Sequence, residues 1–234
     1  MDYQGIESRI LFEDNHLLVL NKKPGEIVQG DRTGDIPLKD MLTVYLKKKY
    51  NKPGNVFVGV VHRIDRPVSG AVIFAKTDKA LSRISKMIHD RQIRKIYWAI
   101  VKTKPDKDCG MLKSYLWKNQ EKNKSFAVEA SQKDAQYAEL EYKVIGKSDT
   151  YFLLEVELHT GKHHQIRVQL SEIGCPIRGD LKYGYHRSNP DGSLSLHARR
   201  IEFMHPVKNE RIFIVAPTPS DNAWSYFEKN QQLT

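Results

Sequence analysis

The segment VHRIDRPVSGAVIFAKT, residues 61–77, contains a single acidic side chain, Asp65, surrounded by basic ones. Arg63 and Arg66 flank it, and apolar runs lie on both sides of the charged centre. This pattern predicts two strands joined by a loop that carries Asp65. Guanidinium groups beside a carboxylate favour its ionised form. Asp65 is therefore either half of a surface ion pair in a turn or a carboxylate kept ionised for catalysis.

Short strands with few helices are predicted along the rest of the chain. Alternating apolar residues separated by turn residues predict hairpins within residues 9–21, 138–158 and 199–215. Single strands are predicted at residues 56–61, 70–76 and 95–101. Apolar residues at helical spacing predict helices at residues 38–50, 78–90, 160–173 and 222–230. Residues 103–134 are polar and are expected to be irregular, with a hairpin as the alternative.

These elements define the expected fold class. Strands outnumber helices, many strands are hairpin neighbours, and strands and helices do not alternate regularly. We therefore predict an α+β fold with a large, mostly antiparallel mixed sheet flanked by helices and loops. The sequence contains no internal repeat and no long linker, so a single domain over residues 1–234 is expected.

Composition limits the possible partners and compartment. No apolar run is long enough to span a bilayer, and the first residues lack the basic and apolar regions of a secretory signal. The chain has only two cysteines, which favours the cytoplasm over an oxidising compartment. Its formal net charge of +10 favours a polyanionic partner, and we expect nucleic acid rather than a membrane surface.

A second segment of interest is the predicted strand RKIYWAIV, residues 94–101. Successive residues of a strand face opposite sides, so Tyr97 shares one face with Lys95, and Trp98 lies on the other. The face with Trp98 is predicted to join the core. The face with Tyr97 is either an exposed surface or a stacking surface for a nucleic-acid base.

A third segment, HTGKHHQIRVQL at residues 159–170, contains three histidines: His159, His163 and His164. Their spacing matches none of the common zinc motifs, so a metal site is the weaker interpretation. A basic, glycine-containing helix start can instead bind an anion. Arg167 stands between apolar residues and is predicted to be partly buried, where it requires a carboxylate. Asp65 is one candidate partner.

Five segments together resemble the RluA-type pseudouridine synthase family. In chain order they are ILFEDNHLLVLNKKPG (10–25), HRIDRPVSGAVIFAKT (62–77), RKIYWAIV (94–101), TGKHHQIRVQLSEIGCPIRGDLKYG (160–184) and LHARRIEFMHP (196–206). Their order and spacing agree over nearly the whole chain. The resemblance implies the pseudouridine synthase catalytic fold. It also implies an isomerase without cofactor or metal, which detaches the base of a uridine in RNA, turns it and rejoins it through carbon.

The resemblance also implies roles for particular residues. Asp65 corresponds to the essential carboxylate, Tyr97 to the tyrosine that packs on the target base, and Arg167 to the basic residue that pairs with the aspartate. The target uridine is expected to lie in a structured stem-loop of rRNA or tRNA and to be flipped out of it. Contacts to RNA are expected from four basic residues: Arg63, Arg66, Lys162 and His163.

Three further expectations follow from the resemblance. The similarity to the catalytic domain begins by Ile10, so the small S4-like RNA-binding module of some members is expected to be absent. We expect a monomer. Two alternative functions are an RNA-binding or chaperone protein that uses the same fold without turnover, and a metal hydrolase that uses the three histidines.

Overall fold

The computed structural model describes residues 5–31 and 33–231, and the chain divides into two compact units. The first unit comprises Met1–Ile93 and Ala198–Pro217, and the second comprises Arg94–His197 and Thr218–Thr234. The expectation that residues 1–234 act as a single catalytic domain stays a prediction.

The strands and helices follow the sequence closely. In chain order the strands are β1 (Ile10–Glu13), β2 (Leu17–Lys22), β3 (Gly59–Val60), β4 (Ser69–Ala75), β5 (Arg94–Val101), β6 (Cys109–Asn119), β7 (Lys124–Val128), β8 (Gln136–Lys147), β9 (Phe152–Leu158), β10 (Leu196–Met204) and β11 (Arg211–Val215). The α-helices are α1 (Leu38–Lys49), α2 (Asp78–His89), α3 (Gln165–Glu172) and α4 (Asn222–Gln231). Short 3-10 helices lie at Glu7–Arg9 and Leu181–Tyr183.

In the first unit, β2 pairs antiparallel with both β1 and β4, and β10 pairs antiparallel with β11. Every residue of β4 is buried. Apolar side chains of β2, β4, β10 and β11 form one core with α2, which contributes Ala80 and Ile84. Helix α2 begins where the sequence predicts, because the Thr77 hydroxyl accepts a hydrogen bond of 3.2 Å from the backbone N–H of Ala80.

The loop that carries Asp65 joins β3 to β4, as predicted, although β3 is shorter than the six residues expected. Gly70, just after this loop, has φ +117°, a conformation that favours glycine. A Cβ atom at position 70 would also overlap the backbone of Ala198. The end of the aspartate segment therefore requires glycine for two independent reasons.

In the second unit, the strands pair antiparallel in the order β5-β9-β8-β6-β7. One face of this sheet packs on α4 through Trp98 and Trp224. The other face packs on α3 through Ala138 and Val168. Residues 103–134 contain the β6–β7 hairpin, so the hairpin alternative is confirmed and the expectation of irregular structure is wrong for most of this segment.

Helix α3 begins at Gln165, five residues later than predicted. His164, at the N-cap, has φ +56°, which lies outside the helical region. The hydroxyl of Thr160 accepts a hydrogen bond of 2.8 Å from the N–H of Glu139 in β8, which holds this residue against the sheet. Gly174 ends the helix as expected, with φ +72°.

The observed elements confirm the predicted α+β class with mostly antiparallel strands. Among residues 5–31 and 33–231, none of the helices has the length and apolar character required to cross a membrane.

Candidate active site

The first part of the candidate site is the loop at residues 61–68. Asp65 is half-buried, whereas Arg63 and Arg66 are exposed. The backbone N–H of Val68 donates a hydrogen bond of 3.0 Å to the carbonyl of Asp65, which closes a tight turn directly after the carboxylate. The loop therefore fixes the backbone of Asp65 and leaves both arginine side chains at the surface.

The buried ammonium group of Lys22 binds the backbone of this loop. Lys22, at the end of β2, is 1% exposed, and its Nζ donates to the carbonyls of Lys23 (3.0 Å), Arg66 (2.9 Å) and Val68 (2.7 Å). The carbonyl of Arg66 also accepts from the N–H of Gly25 at 2.8 Å. We call Lys22 and these three carbonyls the lysine anchor. Because it binds the residues on the C-terminal side of Asp65, the lysine anchor restricts the position of the carboxylate.

Burial sets the electrostatics of the lysine anchor. Desolvation lowers the pKa of Lys22 to about 7, while the negative charges of Glu26 and Asp65 act in the opposite direction. Glu26 is itself bound, with 2.8 Å between its Oε2 and Arg9 Nη1. The charge of Asp65 thus acts on the buried ammonium group of Lys22.

Two neighbours of Asp65 have contacts of their own. The Nη2 of Arg66 lies 2.6 Å from Oδ2 of Asp35, and both side chains are about half exposed. The backbone N–H of Ile73 donates to His62 Nε2 at 3.1 Å, so this ring nitrogen carries no proton. Arg66 therefore supports the loop through its carbonyl, while its side chain forms a surface ion pair.

The second unit contains the predicted basic residue. Arg167, in α3, is 5% exposed, so its predicted burial is confirmed. Its Nε and Nη2 bind the two carboxylate oxygens of Asp180 at 2.7 and 2.9 Å, and its guanidinium carbon lies 4.9 Å from the ring centroid of Tyr183. Asp180 is thus a carboxylate partner that the sequence analysis did not identify, and the pairing of Arg167 with Asp65 stays a prediction.

Tyr97 lies on β5, opposite Val156 of β9, which in turn lies opposite Tyr142 of β8. Side chains along β8 alternate between the two faces of the sheet, so Tyr142 and Ala138, four residues apart, lie on the same face. Tyr97 and Val156 share that face with them, and it packs on α3 through Ala138. Tyr97 is 8% exposed, so the alternative of an exposed surface residue is wrong. Within the second unit, Tyr97 and Arg167 therefore occupy the same side of the sheet.

The loop before α3 is built from aromatic and hydroxyl contacts. His163 Nδ1 lies 2.8 Å from the Ser125 hydroxyl, and the His163 ring stacks on His164 with centroids 3.7 Å apart. His164 Nδ1 lies 2.8 Å from the Tyr183 hydroxyl. Among the described residues, no group of three or more His, Cys, Asp or Glu side chains is arranged to hold a metal ion.

The predicted site residues thus fall into two sets. Asp65, Arg63 and Arg66 share one loop of the first unit, and the remaining members, Tyr97, Arg167, Lys162 and His163, belong to the second unit. The sequence analysis missed Lys22 and Asp180. For Lys22 the available signal was its place at the end of the apolar strand LLVLNK, and for Asp180 it was a lone acid in the glycine-rich segment RGDLKYG.

Comparison with known proteins identifies RNA pseudouridine synthases both by family and by individual relatives. The model of the RNA pseudouridylate synthase family matches residues 16–172. An uncharacterized RNA pseudouridine synthase of Synechocystis is 30% identical over 230 residues, covering 97% of this chain and 68% of the relative. The ribosomal large subunit pseudouridine synthase C of Vibrio cholerae is 32% identical over 218 residues, covering 91% of this chain and 66% of the relative.

A solved structure confirms the fold. The human protein titled RNA Pseudouridylate Synthase Domain Containing 4 matches with a TM-score of 0.80 at 24% identity, covering 97% of this chain and 95% of that chain. Residues 16–172, which the family model matches, include both the loop of Asp65 and helix α3.

Proposed function

This chain belongs to the RNA pseudouridylate synthase family, and we propose that it converts one specific uridine in a structured loop of ribosomal RNA to pseudouridine. The name of the Vibrio cholerae relative supports ribosomal RNA over transfer RNA. The reaction breaks the bond between the sugar and N1 of uracil and forms a bond between the sugar and C5. A proton leaves C5 and N1 gains one, so the isomerisation consumes no co-reactant, and the proposal includes neither cofactor nor metal.

Asp65 is the essential carboxylate in this proposal. The observation that carries the assignment is the lysine anchor, which binds the carbonyls of Arg66 and Val68 directly after Asp65. A carboxylate that must attack the sugar, attack the base or remove a sugar proton benefits from a fixed position, because misplacement by about 1 Å is costly in rate. All three chemical roles require the ionised form, which nearby cations favour.

Tyr97 and Arg167 serve the reaction without forming bonds to the substrate. We assign Tyr97 to packing against the target uracil, because it lies on the sheet face that packs on α3, the helix of Arg167. Arg167 supplies a positive charge to Asp65. Its two bonds to Asp180 fix the plane of the guanidinium group, so this charge has a defined orientation.

Binding of RNA accompanies base flipping. Extrusion of a stacked uridine costs a few kcal/mol, and contacts between cations and phosphates offset part of that cost. The net charge of +10 supports such contacts. We assign them to the exposed Arg63 and Arg66, with Lys162 and His163 as further contacts. The proposal places the enzyme in the cytoplasm, where ribosomal RNA is modified, and as a monomer.

The test is to incubate ribosomal and transfer RNA from cells that lack the gene with the purified protein and to map pseudouridine. We expect one ribosomal site to be modified, and we expect Asp65→Asn to reduce the rate by roughly a thousandfold or more. A matched control is Asp35→Asn, which removes an exposed carboxylate that pairs with Arg66.

Three results would contradict parts of the proposal. Equal rates for wild type and Asp65→Asn would exclude Asp65 as the essential residue. Product in transfer RNA alone would exclude the ribosomal substrate. Tight RNA binding without isomerisation of any cellular RNA would instead favour an RNA-binding protein that uses this fold.

A further inference from the structure

A cavity of about 750 Å³ opens in the second unit at the outer end of the β6–β7 hairpin. The beginning of β8 and the loop before α3 complete its wall. Its volume lies within the range of about 300–1,000 Å³ that is usual for ligand pockets. Neither Tyr97 nor Arg167 is among the described residues that line it, so the cavity is separate from the part of the candidate site that those residues form.

The strand register places several of the lining side chains on one face of the sheet. Lys118 lies directly opposite Ser125 in the β6–β7 pair, and Leu116 lies opposite Gln136 in the β6–β8 pair. Leu116 and Lys118 are two residues apart, so they point to the same side. Leu116 is 4% exposed and packs with Ala138. The cavity therefore has an apolar base beside an amide and an ammonium group.

The side of the cavity next to α3 is rigid. His163, which lines the cavity, lies 2.8 Å from the Ser125 hydroxyl and stacks on His164. The Tyr183 hydroxyl accepts from the N–H of Ser125 at 2.9 Å, and Tyr183 is 5% exposed. This side is thus held by buried groups before any ligand arrives.

The charges around the cavity are mixed. Lys118 and Lys162 supply positive charge, and Glu121 and Asp134 supply negative charge. Lys124, on the adjacent strand, lies over the rings of Phe126 and Tyr183. An inorganic polyanion would meet the two carboxylates unfavourably. A nucleotide brings a single phosphate charge to the two lysines, and its neutral base donates and accepts hydrogen bonds beside the carboxylates.

We propose that this cavity binds a second, unpaired nucleotide of the RNA substrate, distinct from the reacting uridine. The base lies against Leu116 within reach of the Gln136 amide, and the phosphate lies at Lys118 and Lys162. The inference rests on the proposed function only for its choice of RNA as the ligand. It assigns the cavity to substrate recognition, because an RNA that places an unpaired nucleotide there gains contacts that other RNAs lack.

The test uses a fluorescent hexamer of adenosine, which contains no uridine and therefore does not occupy the reaction centre as a substrate. Its Kd is measured by anisotropy over a series of salt concentrations. For Lys118→Gln we expect a Kd raised roughly tenfold at low salt, and a slope of log Kd against log salt reduced by about one. The matched control is Lys143→Gln, an exposed lysine of β8 on the opposite face of the same sheet.

Ultraviolet cross-linking of the same hexamer locates the binding. We expect cross-linked peptides from residues 116–136 and 162–163. A Kd and salt slope equal to those of the control variant, or cross-links confined to other segments, would overturn the proposal. Thermal unfolding of both variants is measured alongside, so that loss of fold is distinguished from loss of binding.

The failure of the proposed function would look different. Pseudouridine formation in ribosomal RNA is measured with the same proteins. If wild type forms no product but still binds the hexamer at the cavity, the proposed function is wrong and the proposed binding site stands. For an active wild type, we expect Lys118→Gln to raise KM for the natural RNA and to leave kcat unchanged, because the nucleotide does not react.

Discussion

Lys22 of the first unit and Arg167 of the second are the buried lysine and arginine among the described residues, and they are stabilised differently. Lys22 of the first unit donates to three backbone carbonyls, whereas Arg167 of the second unit makes a two-bond ion pair with Asp180. Arg167 keeps its charge at every pH that a protein tolerates. Burial lowers the pKa of Lys22 to about 7, so its charge changes near neutral pH. The two cations therefore stabilise their surroundings by different means and with different responses to pH.

The largest expected effect is on the ion pair of the second unit. Asp180→Asn leaves the charge of Arg167 buried beside a neutral amide, and breaking a buried pair in this way typically costs about 3–5 kcal/mol. We expect the free energy of unfolding, measured by urea denaturation at neutral pH, to fall by this amount. Asp35→Asn, which breaks an exposed pair, serves as the control and is expected to cost less than about 1 kcal/mol. A similarly small loss for Asp180→Asn would show that Arg167 does not depend on this carboxylate.

The lysine anchor is expected to contribute less. Lys22→Met removes the donor from three carbonyls but also removes the cost of burying a charge, so we expect a loss of about 2 kcal/mol in urea denaturation. The adjacent exposed Lys23→Met is the matched control and should change stability by less than about 0.5 kcal/mol. Pseudouridine formation should also decrease for Lys22→Met, because the Asp65 loop loses its support. Unchanged activity would mean that the loop is positioned by other contacts.

The pH dependence distinguishes the two cations directly. Lys22 has an ordinary pKa of about 10.4 when unfolded and a pKa of about 7 when folded, so between these values the unfolded state binds more protons. The stability of wild type relative to Lys22→Met should therefore increase as the pH rises above 7, with an upper limit of about 1.4 kcal/mol per pH unit. Below pH 7 the difference should be constant.

The measurement is urea denaturation of both proteins from about pH 6 to about pH 9, the range that spans the folded pKa of Lys22. Asp180→Asn is compared with wild type over the same range. Both proteins contain Lys22, so the difference in their free energies of unfolding should not increase with pH. A flat difference for Lys22→Met would show that the three carbonyls keep the ammonium charged and outweigh its burial.

The smallest effect on stability is expected at Arg66. Its carbonyl belongs to the lysine anchor, whereas its side chain makes an exposed ion pair with Asp35. Arg66→Gln keeps the carbonyl, so stability should change by less than about 0.5 kcal/mol. The same variant should reduce the salt dependence of RNA binding by about one phosphate contact, measured by filter binding. A loss of stability comparable to that of Lys22→Met would mean that the side chain, and not the backbone, supports the loop.

The sequence predicted the elements that depend on local patterns. The first hairpin, α2 with its Thr77 cap and the last hairpin all follow from apolar spacing and turn residues within a few positions. The β6–β7 hairpin was harder to predict from the sequence. One face of β6 is exposed and carries polar and large residues such as Lys113 and Tyr115, which obscure the apolar alternation of a strand. The start of α3 was misplaced because Thr160 is bound to β8, a contact between distant parts of the sequence.

The candidate site was predictable only where the family motifs carried it. Asp65 and Arg167 stand in motifs that are recognised as sequence. Lys22 resembles any lysine of a polar turn, and its burial depends on carbonyls 44 and 46 positions away. Asp180 lies in the glycine-rich segment RGDLKYG, where Arg178 is also paired with a distant carboxylate, 3.0 Å from Asp221. Pairings across the chain leave no local pattern, so these two residues required the structure.

The lysine anchor also limits how this segment can change in evolution. One ammonium group joins the end of β2 to two carbonyls separated by a single residue, and Gly70 closes the segment where no side chain fits. An inserted residue between positions 66 and 68 would displace at least one of these carbonyls. Substitution of the exposed Arg63 or Arg66 side chain leaves these carbonyls in place, whereas a change in the length of the loop does not. Exposed side chains of the loop can therefore change without altering the spacing between the lysine anchor and the Asp65 carboxylate.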